Sequence, residues 1–282
     1  MGPGEGKETA AGISGGVFGG PGGEDAVVTL FRTMSTCRAM AAGRVMAGIV
    51  AWAAVAEGAG AASLPVPNGS FESPTPPPGF PAFPLVDVWQ KAPEPAGIPL
   101  PGGITWDQLA GVFPNTPAGS ADHIDNVDGQ QAAYLFAIPG VALFQKLDSR
   151  FEVGNAYDLT LGVLGTGGIA EGSTLQLSLY YTDDAQLPVT VASATVTYTA
   201  AGFPTATHLV DQTVSLPAVL AGDAWAGREI GVQILSTFGT GVGYWDVDNA
   251  RVSAVPEPGA AGLLVVGAAG LWWLGRRRNS VA

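Results

Sequence analysis

Cysteine is almost missing: Cys37 is the single thiol in 282 residues. No disulfide closes within the chain, and no zinc site built on paired thiolates exists. Positive charge is nearly as scarce. From Ser63 to Pro258 the bases are Lys91, Lys146, Arg150, Arg228 and Arg251 alone, and the whole chain carries a formal net charge of −12. Such a surface repels nucleic-acid phosphates, which excludes nucleic acid as a partner. It suits calcium and neutral or cationic partners, or serves solubility alone. Histidine occurs twice, at His123 and His208. From Ser63 to Pro258, GxSxG, HExxH, CxxC and the phosphate-binding glycine loop are all absent. Between Ser63 and Val255 helical periodicity is missing too, with Ala218 to Trp225 the one candidate there for a short helical turn.

What is present between the two ends is the pattern of strands. Tyr157, Leu159, Leu161 and Val163 alternate with Asp158, Thr160 and Gly162; Leu175, Leu177, Leu179 and Tyr181 alternate with Gln176, Ser178 and Tyr180. A period of two buries one face of a strand. Ala133–Ile138 and Val141–Leu147 are short apolar runs broken by Pro139-Gly140, a turn signal. Val189–Thr199, Thr207–Leu216, Ile230–Leu235 and Tyr244–Val252 complete eight or nine strands. Pro65 to Gly103 is proline-rich loop with one or two short strands. The expected class is all-β, a two-sheet antiparallel jelly-roll sandwich over residues 63–254.

The ends have a different character. From Met34, the bases Arg38 and Arg44 precede an apolar run from Val45 to Ala56, and small residues follow at Ala59-Gly60-Ala61 and Gly60-Ala61-Ala62. Basic, apolar and small-residue regions in that order form a secretory signal peptide over 34–62. Residues 1–33, glycine-rich and without apolar periodicity, are expected either to precede the true start or to be disordered. At the other end, Pro256, Glu257 and Pro258 lead into an uncharged run from Gly259 to Gly275, closed by Arg276, Arg277 and Arg278. The prolines stop the preceding fold, the apolar run is expected to form a single hydrophobic helix, and the arginines hold its end in the cytoplasm. Residues 255–282 therefore resemble the PEP-CTERM sorting signal of Gram-negative envelope proteins. That resemblance implies an exosortase as processing partner. It also implies transient anchoring in the inner membrane before processing, then release to the cell surface or extracellular matrix. An ordinary C-terminal membrane anchor is the alternative, for which the run is short, since a stable span takes roughly 20 apolar residues.

Two short segments narrow the fold further. Asn68-Gly69-Ser70-Phe71-Glu72 stands near the start of the domain, and Tyr244-Trp245-Asp246-Val247-Asp248-Asn249 near its end. Their pairing resembles the galactose-binding-like jelly rolls that include several carbohydrate-binding modules. In that family the two segments meet, often around a structural Ca²⁺. The resemblance implies Glu72 and Asp248 as carboxylate ligands, with main-chain carbonyls filling a shell of six to eight oxygens; Asp246 is a weaker candidate, and Phe71 should face the core. Glu72 and Asp248 acting as plain polar contacts, or pairing with Arg251, is the alternative. The polar loop Asp122–Gly129 fails the EF-hand spacing and reads as a solvated acidic loop or as a second ion site.

For function, no catalytic set is recognisable, so the expected role is non-catalytic binding of an envelope or matrix polysaccharide. Trp89 and Trp106, both in Pro/Gly-rich sequence, are the candidate platforms for sugar rings; Trp245 is expected in the core. A purely structural matrix protein is the second reading. The third is a calcium-dependent enzyme, since the Stig cyclases of cyanobacterial alkaloid biosynthesis use a similar jelly roll; it requires an apolar pocket holding one acidic residue. The tail carries its own test. In a host with an exosortase, mass spectrometry of the surface protein should find chain ends near Pro258. Recovery of peptides spanning Leu271 to Leu274 from the mature form would contradict the sorting reading.

Overall fold

The computed structural model describes residues 60–98, 100, 102–239 and 243–257. Residues 34–59 of the expected leader, Pro258, the apolar run and Arg276, Arg277 and Arg278 lie outside the described residues, whereas the leader's expected last residue, Ala62, is the first residue of a strand. Among the described residues no helix is long and apolar enough to cross a membrane.

Eleven strands follow in chain order: β1 (Ala62–Leu64), β2 (Gln90–Lys91), β3 (Ala110–Pro114), β4 (Gln131–Phe136), β5 (Ala142–Arg150), β6 (Asn155–Thr166), β7 (Thr174–Thr182), β8 (Pro188–Thr197), β9 (Val210–Leu216), β10 (Glu229–Phe238) and β11 (Tyr244–Pro256). They form two antiparallel sheets. One has the order β3-β4-β11-β6-β9, with β1 added beside β11; the other has the order β2-β5-β10-β7-β8. The chain is the expected all-β sandwich. The Pro139-Gly140 break between β4 and β5 proves to be a crossing between sheets, with Gly140 at φ +93°.

The alternation that marks the strands also builds the core. Leu177 and Leu179 of β7 stand beside Ile234 and Val232 of β10 in the same sheet, and these residues join Leu175, Ile230 and the Tyr157, Leu159, Leu161 and Val163 row of β6 in one buried cluster. Trp245 is fully buried at its centre, edge-on to Tyr198 (6.4 Å, 77°) and to Phe203 (6.2 Å, 65°). Phe71 is likewise fully buried, as expected. Burying such a ring stabilises the fold by removing apolar area from water and by filling a close-packed space.

Strand β11 holds the first sheet together. Along one edge it pairs with β6 from Tyr244 to Pro256. Its other edge is divided: Tyr244–Val247 pair with β4 and Val252–Ala254 with β1. A bulge between Asp248 and Arg251 separates the two halves, with Asn249 at φ +55°. At that gap the Ala250 N–H donates to the Gly69 carbonyl at 2.8 Å. A side chain at Gly69 would meet the Ala250 oxygen at 2.4 Å, so only glycine allows the approach. The first and last segments of the domain thus meet. Strand β11 also carries the chain into Pro256, and the Glu257 N–H bonds the Gly154 carbonyl at 2.9 Å.

Two sequence expectations differ from the structure. Residues 218–225 form turns and no helix, and the one helical turn among the described residues is the 3-10 segment Trp106–Leu109. Its cause was in the sequence: Gln108 follows Thr105 at capping-box spacing, and its side-chain oxygen accepts the Thr105 N–H at 2.8 Å. Replacing Trp245 by alanine should cost about 3–5 kcal/mol of stability, the range for emptying a large aromatic core site. Urea unfolding with an unchanged slope checks it, and a loss under about 1 kcal/mol would contradict the central place given to this ring.

Candidate functional site

The outer face of the first sheet carries a cleft of about 900 Å³. Cross-strand register places its floor. Tyr244 lies opposite Phe136, and Asp246 opposite Tyr134. Because side chains alternate, Tyr134, Phe136, Tyr244 and Asp246 project together from one face, while Ala133, Leu135, Trp245 and Val247 project into the core. The rings run in series, Tyr134 to Phe136 at 6.2 Å edge-on and Phe136 to Tyr244 at 6.0 Å tilted. Two glycines make room for them. A side chain at Gly111 would strike the Tyr134 hydroxyl at 2.8 Å, and one at Gly167 would strike the Tyr244 ring at 2.3 Å.

Loops build the walls. Phe83 and Val112 exchange both backbone hydrogen bonds, which straps residues 81–84 against β3. The Lys91 ammonium donates to the Pro84 carbonyl at 2.7 Å and to the Asp107 carbonyl, tying that strap to the 3-10 turn. Gln108 and Ile104 line one side; Thr116, Asp122 and Ile124 line another. The loop bearing these last residues is pinned by Asn115, whose side chain bonds both the carbonyl and the N–H of Ile124.

Asp246 is the chemically distinctive group. It is 4% exposed; Oδ2 accepts the Thr166 hydroxyl at 2.8 Å, and Oδ1 has no partner. Burial pushes its carboxyl up to about 7, against the opposing pull of the Thr166 hydrogen bond. Beside it, burial pushes the Tyr134 phenol up to about 12, and its hydroxyl donates to the Gln108 carbonyl at 3.2 Å.

The sequence candidates fall in two places. Glu72 and Asp248 do meet around one loop: Glu72 Oε1 accepts the N–H groups of Gln130 and Gln131 at 2.8 and 2.9 Å, and Asp248 Oδ2 accepts that of Asp128 at 2.6 Å. Asp248 Oδ1 is buried without a partner. Burial raises the Asp248 carboxyl to about 7; hydrogen bonds from the Asp128 and Asn249 backbones oppose this, and the neighbouring carboxylates of Asp128 and Glu72 add to it. An orphaned oxygen amid like charges fits a hard cation. No three His, Cys, Asp or Glu side chains among the described residues form a metal-holding group, so carbonyls and water would complete its shell. Arg251 pairs with Asp211 and not with this couple.

Trp89 and Trp106 require a correction. Both are buried, 6% and 8% exposed, so neither offers a face to a sugar. The indole N–H of Trp89 donates to the Asn68 carbonyl at 3.0 Å, and that of Trp106 to the Ala92 carbonyl at 2.7 Å. They anchor the proline-rich segment that walls the cleft. The aromatic platform that sequence reasoning missed had a signal: β4 reads Ala-Ala-Tyr-Leu-Phe, with bulk on both faces of one strand.

No protein-family model matches the chain, and comparison with curated proteins gives no match. Solved structures do resemble it. A cyclase from Fischerella sp. TAU is 21% identical, with a TM-score of 0.54, covering 70% of this chain and 98% of that one. A Stig cyclase of the same source, solved with a 3H-indole derivative, gives 22%, 0.54, 70% and 99%. The CBM22-1 xylan-binding domain of Paenibacillus barcinonensis Xyn10C gives 12% identity and a TM-score of 0.35, over 59% of this chain and 85% of that one. The likeness to the cyclases establishes a shared fold.

Asp246 sets a pH dependence. Its folded value near 7 lies above the ordinary 3.8, so the native state keeps a proton that the unfolded chain gives up. Stability from this group is present below about pH 4 and declines as pH rises towards 7. In chelator, Asp246→Asn should flatten the decline measured by urea unfolding between pH 5 and 7.5, leaving the part due to Asp248. An unchanged slope would contradict the burial of a lone carboxyl.

Proposed function

We propose that the domain is a non-catalytic sugar-binding β-sandwich of an exported protein destined for the cell surface or matrix. Its ligand, a segment of envelope or matrix polysaccharide, lies in the cleft on the outer face of the first sheet. The observation that carries this reading is the group of Tyr134, Phe136, Tyr244 and Asp246 projecting from one face. The half-buried rings of Phe136 and Tyr244 cover the apolar side of a sugar, with the buried Tyr134 packed against Phe136, while Asp246, Gln108 and Thr166 offer hydrogen bonds to hydroxyls. The leader and the PEP-CTERM-like tail support export and an exosortase partner. In this reading Glu72 and Asp248 share a structural Ca²⁺ that fixes the loop of residues 115–130 against β11.

Two experiments test it. Exopolysaccharide from the producing strain should retain the wild-type domain, and a Phe136→Ala, Tyr244→Ala double variant should bind at least about tenfold more weakly, as loss of aromatic anchors does. Failure of the folded wild type to bind leaves a structural matrix protein instead. For the ion, EDTA should lower the melting temperature, because a ligand bound only by the native state stabilises it by mass action. Glu72→Gln and Asp248→Asn should each abolish that effect; a melting curve indifferent to EDTA makes the pair plain polar contacts.

A second reading is an enzyme on the same fold. Asp246 favours it: one acid with an unpartnered oxygen, on the floor of a largely apolar cleft. The Fischerella cyclase was solved with 4-(1H-indol-3-yl)butan-2-one, whose ring N–H is a donor of the kind Asp246 lacks. Turnover of an indole substrate by wild type and not by Asp246→Asn would replace the first reading with this one.

A further inference from the structure

We infer that the cleft selects a cationic glycan, one whose sugars carry free amines, and that the ammonium seats on Asp246. This rests on the sugar-binding reading and specifies the ligand class for that same cleft.

The charge inventory of the cleft points this way. Its lining includes two carboxylates, Asp122 at the exposed rim and Asp246 at the buried floor, and no lysine, arginine or histidine. The bases beside its walls are engaged elsewhere: the Lys91 ammonium with the Pro84 and Asp107 carbonyls, and His123 Nδ1 with the Thr116 carbonyl. Among the described residues no base forms an ion pair with Asp246. It is 4% exposed, and its Oδ1 has no hydrogen-bond donor. A buried carboxylate with one oxygen left without a donor is costly, and a ligand that covers the cleft removes the remaining water.

Ligand chemistries differ in how they meet that need. A neutral hydroxyl supplies one hydrogen bond and no charge. An N-acetylated sugar supplies one amide N–H and adds bulk. An ammonium supplies three donors and a full positive charge. The floor also favours a cation in a second way. Tyr134, Phe136 and Tyr244 stand beside Asp246 in adjacent register positions, and aromatic faces attract cations through their quadrupole. An anionic glycan would meet two carboxylates with nothing to offset them. The formal charge of −12 on the chain reinforces the choice by raising the local concentration of cations.

The test compares three probes of equal length by calorimetry on the wild-type domain: a glucosamine oligomer, its N-acetylated counterpart and a neutral glucose oligomer. The glucosamine oligomer should bind at least about tenfold more tightly than either of the others. Asp246→Asn keeps the shape and the Thr166 partner. It should cut the preference for the glucosamine oligomer to within about twofold. Tyr244→Ala should weaken all three. Equal wild-type affinity for the three probes overturns the amine inference and leaves sugar binding intact. So does full preference retained by Asp246→Asn, because the attraction then belongs to the general acidic surface. If none of the three binds but the strain's exopolysaccharide does, the amine inference falls alone. If that also fails to bind, the sugar-binding reading falls with it. The wild-type comparison decides the matter even where a variant folds poorly.

Discussion

The divided edge of β11 is the constraint on which the rest depends. A long central strand must satisfy its backbone groups on both sides. β6 does so along one edge except at the Asp248–Arg251 bulge, whereas β4 and β1 share the other edge and leave it unpaired between Val247 and Val252. Gly69 closes that gap by bringing its carbonyl to the Ala250 N–H. Three consequences meet there. The start of the domain is locked to its end, Glu72 and Asp248 are drawn onto the same loop, and the first half of β11 is left to present Tyr244 and Asp246 outward beside β4.

Strand alternation then assigns two kinds of chemistry to one strand. Trp245 and Val247 take the core, where Trp245 is wholly enclosed. Tyr244 and Asp246 take the other face, which the loops of residues 81–84, 103–108 and 115–124 wall into a cleft. The buried tryptophans belong to those walls. Trp89 also lies against Phe71, with ring centroids 5.2 Å apart. A platform for a ligand is thus made by tyrosine and phenylalanine on strands, which are rigid, and is framed by tryptophans that hold the loops.

Much of the architecture was legible because it rests on local pattern. The period-two rows of β6 and β7 and the break at Pro139-Gly140 follow from chain chemistry over a few residues, while the meeting of Asn68–Glu72 with Tyr244–Asn249 was implied by the resemblance to galactose-binding-like jelly rolls. The cleft was less legible because it rests on register. Nothing local places Tyr134 opposite Asp246, or shows that a proline-rich loop buries Trp89 and Trp106 while leaving Tyr244 partly open. Tryptophan in loop sequence looked available for binding; indole N–H groups bonded to the Asn68 and Ala92 carbonyls explain why it is not. The small helical turn at Trp106 was signalled by Thr105 and Gln108, but four residues are too few to establish a helical period.

The central claim is that the outer face of β4 and β11 is where a glycan binds. Chemical-shift mapping of the domain with fragments of the producer's polysaccharide tests it most directly. The prediction is a contiguous set of perturbed signals over Tyr134, Phe136, Thr166, Tyr244 and Asp246, with β8 and β9 silent. Perturbations scattered over the surface, or gathered on the opposite sheet while β4 and β11 stay unchanged, would contradict it.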